Sequence, residues 1–298
     1  MVEPTPDFPL GRLTTIGTGG RAEFFARAGT PAELGDLLGW AAARQLGLNV
    51  VGSGSNLLVS DDGVDGLVVK LDRELARIEP VDDQGLLVGG GARLPSVAAR
   101  AATLGLSGIE FGVNIPGTVG GAVRMNANAY GGALGRVLEW VEIHTADGVS
   151  RRTAAELAFS YRASNVRSDE VVGRALLRLE AAPSSDVRAR LEEMRTHRHA
   201  AQPKGIRTFG STFKNPEGSD TAGLLLARAG AGGLRVGAAR FSPKHANFVE
   251  NVGGASTADV VGLMAEGRRL VFEVFGVELE PEVQTLGPVD FPWKGAGR

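Results

Sequence analysis

The sequence predicts an α+β protein built as two domains. Three observations carry that prediction. The chain has 298 residues, against roughly 100–200 per domain. Short apolar runs with strand character are interleaved with amphipathic helical stretches. After Pro183 the texture changes, and a strongly charged helical stretch replaces the glycine-punctuated strands. The boundary is therefore placed near 182, giving domains over 1–182 and 183–298. With 43% apolar and 22% charged residues, the chain can bury a core without metal or disulfide staples.

Thr30-Pro31-Ala32-Glu33 reads as a capping box with proline at the first helical position. Leu34, Leu37, Leu38 and Ala41 then fall on one face, which predicts a helix over 31–46. The apolar runs 50–51, 57–59, 67–71 and 86–88, divided by Gly, Ser and Asp, read as strands. A second helix is expected from Pro95 to near Gly105. In 137–145, Val141 and Ile143 alternate with Glu142 and His144, the pattern of a half-exposed strand, and 171–179 reads as another. Residues 185–200 form the charged helical stretch, ending before Gln202-Pro203. Segments 221–229 and 257–275 are expected to be helical, the latter with Gly276 past its end.

Zero cysteines exclude a disulfide framework, a thiolate zinc site, an iron–sulfur cluster and a cysteine nucleophile. The net charge is −2, from 32 basic and 34 acidic residues. No global field then favours nucleic acid or an anionic membrane, and neither is expected as a partner. No apolar run approaches the roughly 18 residues of a membrane span, and the first ten residues lack a signal peptide's basic start and apolar centre. A cytoplasmic location is expected. His197 and His199 stand two apart on a charged helix, where they cannot share a face, so no metal site is expected.

Glycine is the outlier, at 43 residues, about twice the usual share of roughly 7%. It clusters at 17–20, 52–54, 89–91, 117–121 and 131–132, beside apolar segments. No G-x-x-x-x-G-K-[ST] occurs. Gly52-Ser53-Gly54-Ser55-Asn56 lacks the third glycine of a dinucleotide fingerprint and runs into Leu57-Leu58-Val59, an expected strand. Composition leaves two readings open. The clusters are ordinary tight turns, or they build a phosphate site in which consecutive backbone N–H groups form an anion-holding nest without a helix dipole. Segments 51–60 and 114–131 suit the second reading. In the latter, Pro116-Gly117 gives a turn and Gly120-Gly121 leave room for a bulky ligand.

Taken together, TTIGTGGRAEFF (14–25), VGSGSNLLVS (51–60), GIEFGVNIPGTVGGAVRMNANAYGG (108–132), SYRASNVR (160–167), FGSTFKNPEG (209–218), SPKHANFVEN (242–251) and VELEPEV (277–283) follow the order and spacing of one family. The chain resembles the UDP-N-acetylenolpyruvoylglucosamine reductases, flavoenzymes of bacterial peptidoglycan precursor synthesis. The resemblance covers almost the whole length. It implies an FAD-binding region of the vanillyl-alcohol-oxidase (PCMH) type, in two α+β subdomains, followed by an α+β substrate-binding domain whose final segment near 279–285 returns to the flavin cleft. The short stretch between Arg162 and Ser211 resembles the shorter of the family's two types, which lacks an extra loop over the substrate. Gln284 stands where an arginine is common, Val166 near where an aromatic often follows, and Arg124 and Asn128 are unusual in their segment.

The reaction implied is reduction of the enolpyruvyl double bond of UDP-N-acetylglucosamine enolpyruvate to UDP-N-acetylmuramate, with hydride from NADPH passed through FAD. The resemblance assigns the cofactor to Gly52, Ser53, Gly54, Ser55, Asn56, Asn114, Pro116, Gly117, Thr118, Gly120 and Gly121. It assigns the nucleotide-sugar substrate to Tyr161, Lys214 and Asn215, and the chemistry to Arg162, Ser211 and Glu282. Each residue type suits its task. A guanidinium binds a carboxylate through paired N–H donors. An enolate is a strong enough base to take a serine proton. A carboxyl beside a substrate carboxylate serves when it is protonated or paired. His245 and Asn247 are further candidates for the same cleft.

Two alternatives stand beside this reading. An oxidase on the same flavin fold often tethers flavin through histidine. Here His144 is the only histidine in the first 180 residues and lies in an expected strand, so the FAD is expected to be non-covalent. A nucleotide-sugar-binding module without turnover would have no need of Arg162, Ser211 and Glu282 together.

Overall fold

Thr30 begins the first helix as its sequence dictates. Its hydroxyl accepts from the Glu33 N–H at 3.1 Å, Pro31 takes the first turn, and the helix runs Pro31–Ala42. The Glu33 carboxylate reaches past Thr30 to the Gly29 N–H, at 2.7 Å, and pairs with Arg73. The computed structural model describes residues 2–203 and 205–293, without the side chains of 199–201. The helix ends four residues before the sequence pattern predicts, where the Gln45 backbone turns left-handed at φ 55°. Its buried face, Leu34, Leu37, Leu38 and Ala41, packs with Leu67, Val69 and Leu71 into a small core. These last residues belong to a four-stranded sheet ordered Thr5–Pro9, Arg21–Ala28, Val64–Leu71, Leu48–Val50. Its last two strands run parallel.

A second core lies on a five-stranded antiparallel sheet ordered Gly148–Thr153, Leu138–Thr145, Val171–Arg178, Gly85–Gly89, Ile78–Pro80. The helix Leu94–Leu104 buries Leu94, Val97, Ala98 and Ala101 against it and stops at Gly105, left-handed at φ 69°. One expectation fails here. His144, placed by alternation on the exposed face, is 1% exposed. Its Nε2 lies 3.0 Å from the Glu142 carboxylate, and the missing Cβ of Gly173 makes room for the ring.

The chain divides into two compact units, at a place other than 182. The first comprises Met1–Pro6, Phe24–Ser53 and Gly66–Arg198, and holds both cores above. The second comprises Asp7–Glu23, Gly54–Asp65 and His199–Arg298. The helix Ser184–Ala201 explains the later division, because Val187 and Leu191 are buried in the second core of the first unit.

The second unit centres on Phe209, Phe213 and Phe241, all fully buried, with Ile16 and Leu58 from early in the chain. Its antiparallel sheet is ordered Arg207–Ser211, Phe248–Asn251, Ala239–Phe241, Arg235–Val236, and is packed by the helices Ala222–Arg228 and Thr257–Phe275. A separate parallel pair joins Gln284–Leu286 to Leu57–Val59.

Candidate active site

The turn after Leu48–Val50 is built from what glycine permits. A Cβ at Gly52 would overlap the Thr118 hydroxyl, so the missing side chain lets the Thr118 side chain pack against the Gly52 backbone inside the first unit. Lys70 donates its ammonium to the Gly52 carbonyl. In the second unit, Gly54 is left-handed at φ 62°, and its carbonyl accepts the Thr15 N–H at 3.0 Å and the Thr15 hydroxyl at 3.2 Å. A Cβ there would overlap the Leu13 carbonyl, so Gly54 serves packing. Among the described residues, no protein acceptor takes the N–H of Ser53, Gly54, Ser55 or Asn56. Such a run of uncommitted amides suits an anion.

The 114–121 segment corrects the turn-only reading. Val119–Arg124 is a short helix with Thr118 at its N-cap. Two of its first amides are already spent, Val119 N–H on the Ala92 carbonyl at 2.9 Å and Gly120 N–H on the Gly90 carbonyl at 2.8 Å. The expectation that Gly120 leaves room for a ligand is overturned as well. A Cβ there would press 3.2 Å from the Gly90 oxygen, whereas Gly121 meets only the Thr118 hydroxyl at 3.6 Å and Gly117 only Ile115 at 3.9 Å. Gly117 and Gly121 thus leave open the space a flat ligand needs, and the residues fit FAD. Pro116 is exposed at the start of this segment. Asn114 is engaged elsewhere. Its amide donates to the Met194 carbonyl at 2.7 Å and to the Tyr130 hydroxyl at 3.1 Å.

Tyr161 and Arg162 occupy the tip of a tight turn closed by reciprocal Ser160 and Ala163 backbone bonds of 3.1 and 3.3 Å. Arg162 is left-handed there, φ 58°, a conformation costing a side-chain-bearing residue about 1–2 kcal/mol. Such strain persists only where the surroundings impose it. The surroundings are the 124–128 segment. Ser164 donates to the Arg124 carbonyl at 3.0 Å, Asn126 to the Ser160 carbonyl at 3.0 Å, and Arg162 to the Asn128 carbonyl at 3.3 Å. The guanidinium also lies 5.4 Å from the Tyr161 ring centre. Arg124 and Asn128 hold this turn through backbone carbonyls, which any residue supplies. Val166 is a buried core residue.

The second unit pairs the segment that carries Ser211 with the one that carries Glu282. A bulge between Thr208 and Ser211, with Gly210 at φ 86°, turns the end of the strand and re-aims its last side chain. Asn247 then clamps Phe213, two residues on, its side-chain amide accepting the Phe213 N–H and donating to the Phe213 carbonyl, both at 2.9 Å. The final segment runs alongside. Glu282 N–H donates to the Thr212 carbonyl at 2.8 Å and Lys214 N–H to the Glu280 carbonyl at 2.9 Å. Asn56 donates to the Glu282 carbonyl at 3.2 Å, tying the same segment to the glycine turn. Lys214 pairs with Glu280 at 3.2 Å. The Asn215 carbonyl oxygen accepts the Ala222 N–H at 3.1 Å and so supports a helix start. Burial pushes the His245 pKa below the ordinary histidine value.

Sequence reasoning missed Lys70, which carries no motif, and the clamping role of Asn247, which only pairing across the sheet reveals. The side chain of His199 lies outside the described residues. Among the described residues no group of three metal-ligating side chains is present.

Comparison with known proteins matches this geometry to one group. Residues 22–154 match the model of an FAD binding domain, and residues 202–286 match that of the UDP-N-acetylenolpyruvoylglucosamine reductase C-terminal domain. The UDP-N-acetylenolpyruvoylglucosamine reductase of Desulfosudis oleivorans is 43% identical over 293 residues, covering 94% of each chain. That of Acidiphilium cryptum is also 43% identical, covering 97% of this chain and 92% of its own. A crystal structure of UDP-N-acetylenolpyruvylglucosamine reductase from Thermus caldophilus superposes with a TM-score of 0.82 at 37% identity, covering 96% of this chain and 99% of its own. With an FAD-binding domain, a reductase C-terminal domain and relatives matched nearly end to end, the chain belongs to the UDP-N-acetylenolpyruvoylglucosamine reductase family.

Proposed function

We propose that the protein reduces the enol-ether double bond of UDP-N-acetylglucosamine enolpyruvate with NADPH, giving UDP-N-acetylmuramate for peptidoglycan. Bound FAD supplies the hydride relay between donor and substrate. The residues that would hold it are the 52–56 turn, through its uncommitted amides, and Gly117, Thr118 and Gly121, through the space they leave. Among the described residues no helix is long and apolar enough to cross a membrane. We place the enzyme in the cytoplasm, acting on a nucleotide sugar.

The chain's own residues then divide the work. Hydride addition to the terminal carbon leaves enolate charge on the adjoining carbon, delocalised into the carboxylate. Arg162, pre-set by its strained turn, binds that carboxylate with paired donors. Glu282 positions the enolate. Ser211 delivers one proton to the enolate carbon. Lys214, Asn215 and Tyr161 line the nucleotide sugar.

The observation that carries this reading is the pairing of the segments that hold Ser211 and Glu282, through the Glu282 N–H to Thr212 carbonyl bond and the Phe213–Pro281 bridge, since the acid and the carboxyl must serve one enolate. NADPH oxidation strictly dependent on the enolpyruvyl substrate, with a product two mass units heavier than the substrate, is the expected result. Steady NADPH consumption that ignores the substrate would reject the assignment.

A further inference from the structure

Lys70 carries its charge into a half-buried position. It sits on the strand Val64–Leu71 between the buried Val69 and Leu71, where an ammonium is costly unless paired. Its hydrogen-bond partner among the described residues is a neutral oxygen, the Gly52 carbonyl. Burial, then Arg27 and Arg93, push its pKa below the ordinary lysine value, while Asp72 offsets part of this. The neighbourhood is thus short of negative charge. Around it the two glycine segments of the first unit converge. Gly52 lies against the Thr118 side chain, the Arg93 backbone bridges to Thr118, and Leu94 N–H bonds the Gly117 carbonyl at 3.0 Å.

A trans peptide holds its carbonyl and the following N–H on opposite sides. An ammonium on the Gly52 oxygen therefore aims the Ser53 N–H away from Lys70, and a charged partner on the carbonyl strengthens that N–H as a donor. Ser53 N–H opens a run of amides with no protein acceptor among the described residues. In the 117–121 segment, by contrast, the Val119 and Gly120 amides are spent on protein carbonyls. We propose that Lys70 is a positioning residue for the FAD diphosphate, clamping the Gly52–Ser53 peptide so that its N–H serves the anion and lending the site positive charge. This deepens the functional reading above and rests on it.

The test uses protein stripped of flavin and titrated with FAD, following flavin fluorescence, with the melting temperature of the flavin-free protein measured alongside. Lys70→Met should weaken FAD binding about tenfold or more, the effect of one charge-assisted hydrogen bond. Lys70→Arg, which keeps charge and donor, should stay within about threefold of wild type. Both flavin-free variants should melt within about 3 °C of wild type, a small fraction of the stability of a chain this size. Unchanged FAD affinity in Lys70→Met would overturn the proposal. So would failure of arginine to rescue, or a loss matched by a large fall in flavin-free melting temperature, which would make Lys70 a structural tie. A wild-type protein that takes up no FAD would defeat the functional reading itself and leave the role of Lys70 behind with it.

Discussion

A serine hydroxyl surrenders its proton only to a strong base, so loss of the Ser211 Oγ should fall on one half of the reaction. In Ser211→Ala, stopped-flow absorbance should find the NADPH-driven half near the wild-type rate and the substrate-driven half slowed by about 10²- to 10⁴-fold. The reverse pattern would remove Ser211 from the role of acid. Glycine gives a second contrast at the same scale. Gly121→Val should fold but lose FAD, because its side chain enters the space a ligand needs. Gly120→Val should instead destabilise the protein by about 1–3 kcal/mol through overpacking, since its Cβ would press on the Gly90 carbonyl. A Gly121→Val protein that stays yellow, or a Gly120→Val protein with an unchanged denaturation midpoint, would break the distinction. Sequence alone cannot draw it. Gly120 and Gly121 are neighbours of one residue type, and what separates them is the Gly89-Gly90 backbone, thirty residues earlier in the chain. His144 is misread for the same reason, because its burial depends on Gly173 across the sheet. Arg162, Ser211 and Glu282 are proposed through their motifs, but the αL turn that holds Arg162 cannot be read there, since nothing in Tyr-Arg-x-Ser demands a positive φ.

Local signals suffice for elements whose ends are capped by their own residues. Thr257–Phe275 is legible from its apolar spacing and from Gly276 past its end, left-handed at φ 68°, and the structure adds a reciprocal capping box between Ser256 and Asp259. What fixes that helix in place is remote. The Asp61 carboxylate accepts the N–H groups of Thr257 and Ala258, each at 2.9 Å, and the Thr257 hydroxyl bonds the Val59 carbonyl at 2.5 Å. A carboxylate on a helix N-terminus satisfies orphan donors and meets the positive end of the dipole. Asp61→Ala should therefore cost about 1–2 kcal/mol in urea denaturation, and Asp61→Asn less. An unchanged midpoint in the alanine variant would show that the long-range cap contributes nothing. Arg21–Ala28 shows the opposite case. RAEFFARA has three alanines and three charged residues in eight, a composition that does not favour a strand, and only pairing on both sides makes it one. Strand tendency of this kind is a property of the sheet more than of the segment.

For the molecule as a whole, the decisive fact is that the second unit is discontinuous. Its core includes Ile16 and Leu58, and Gln284–Leu286 finds its only named strand partner, among the described residues, in Leu57–Val59. A fragment beginning at residue 199 would lack those side chains, that strand and the Asp61 cap. It should show no cooperative melt by circular dichroism, whereas the full chain should melt cooperatively. A sharp transition in the fragment would mean that the early segments are dispensable. The charged stretch after Pro183 suggested a simple cut because composition changes there, while core membership, which places Val187 and Leu191 with the first unit, is invisible to composition. The same discontinuity has a temporal side. A ribosome adding about 5–20 residues per second needs roughly 10–45 s after Leu57 to reach Gln284. Throughout that interval the apolar Leu57-Leu58-Val59 run is a strand without its mate, an edge open to wrong pairing. The nascent chain must shelter it, and the last segment made is the one that relieves it.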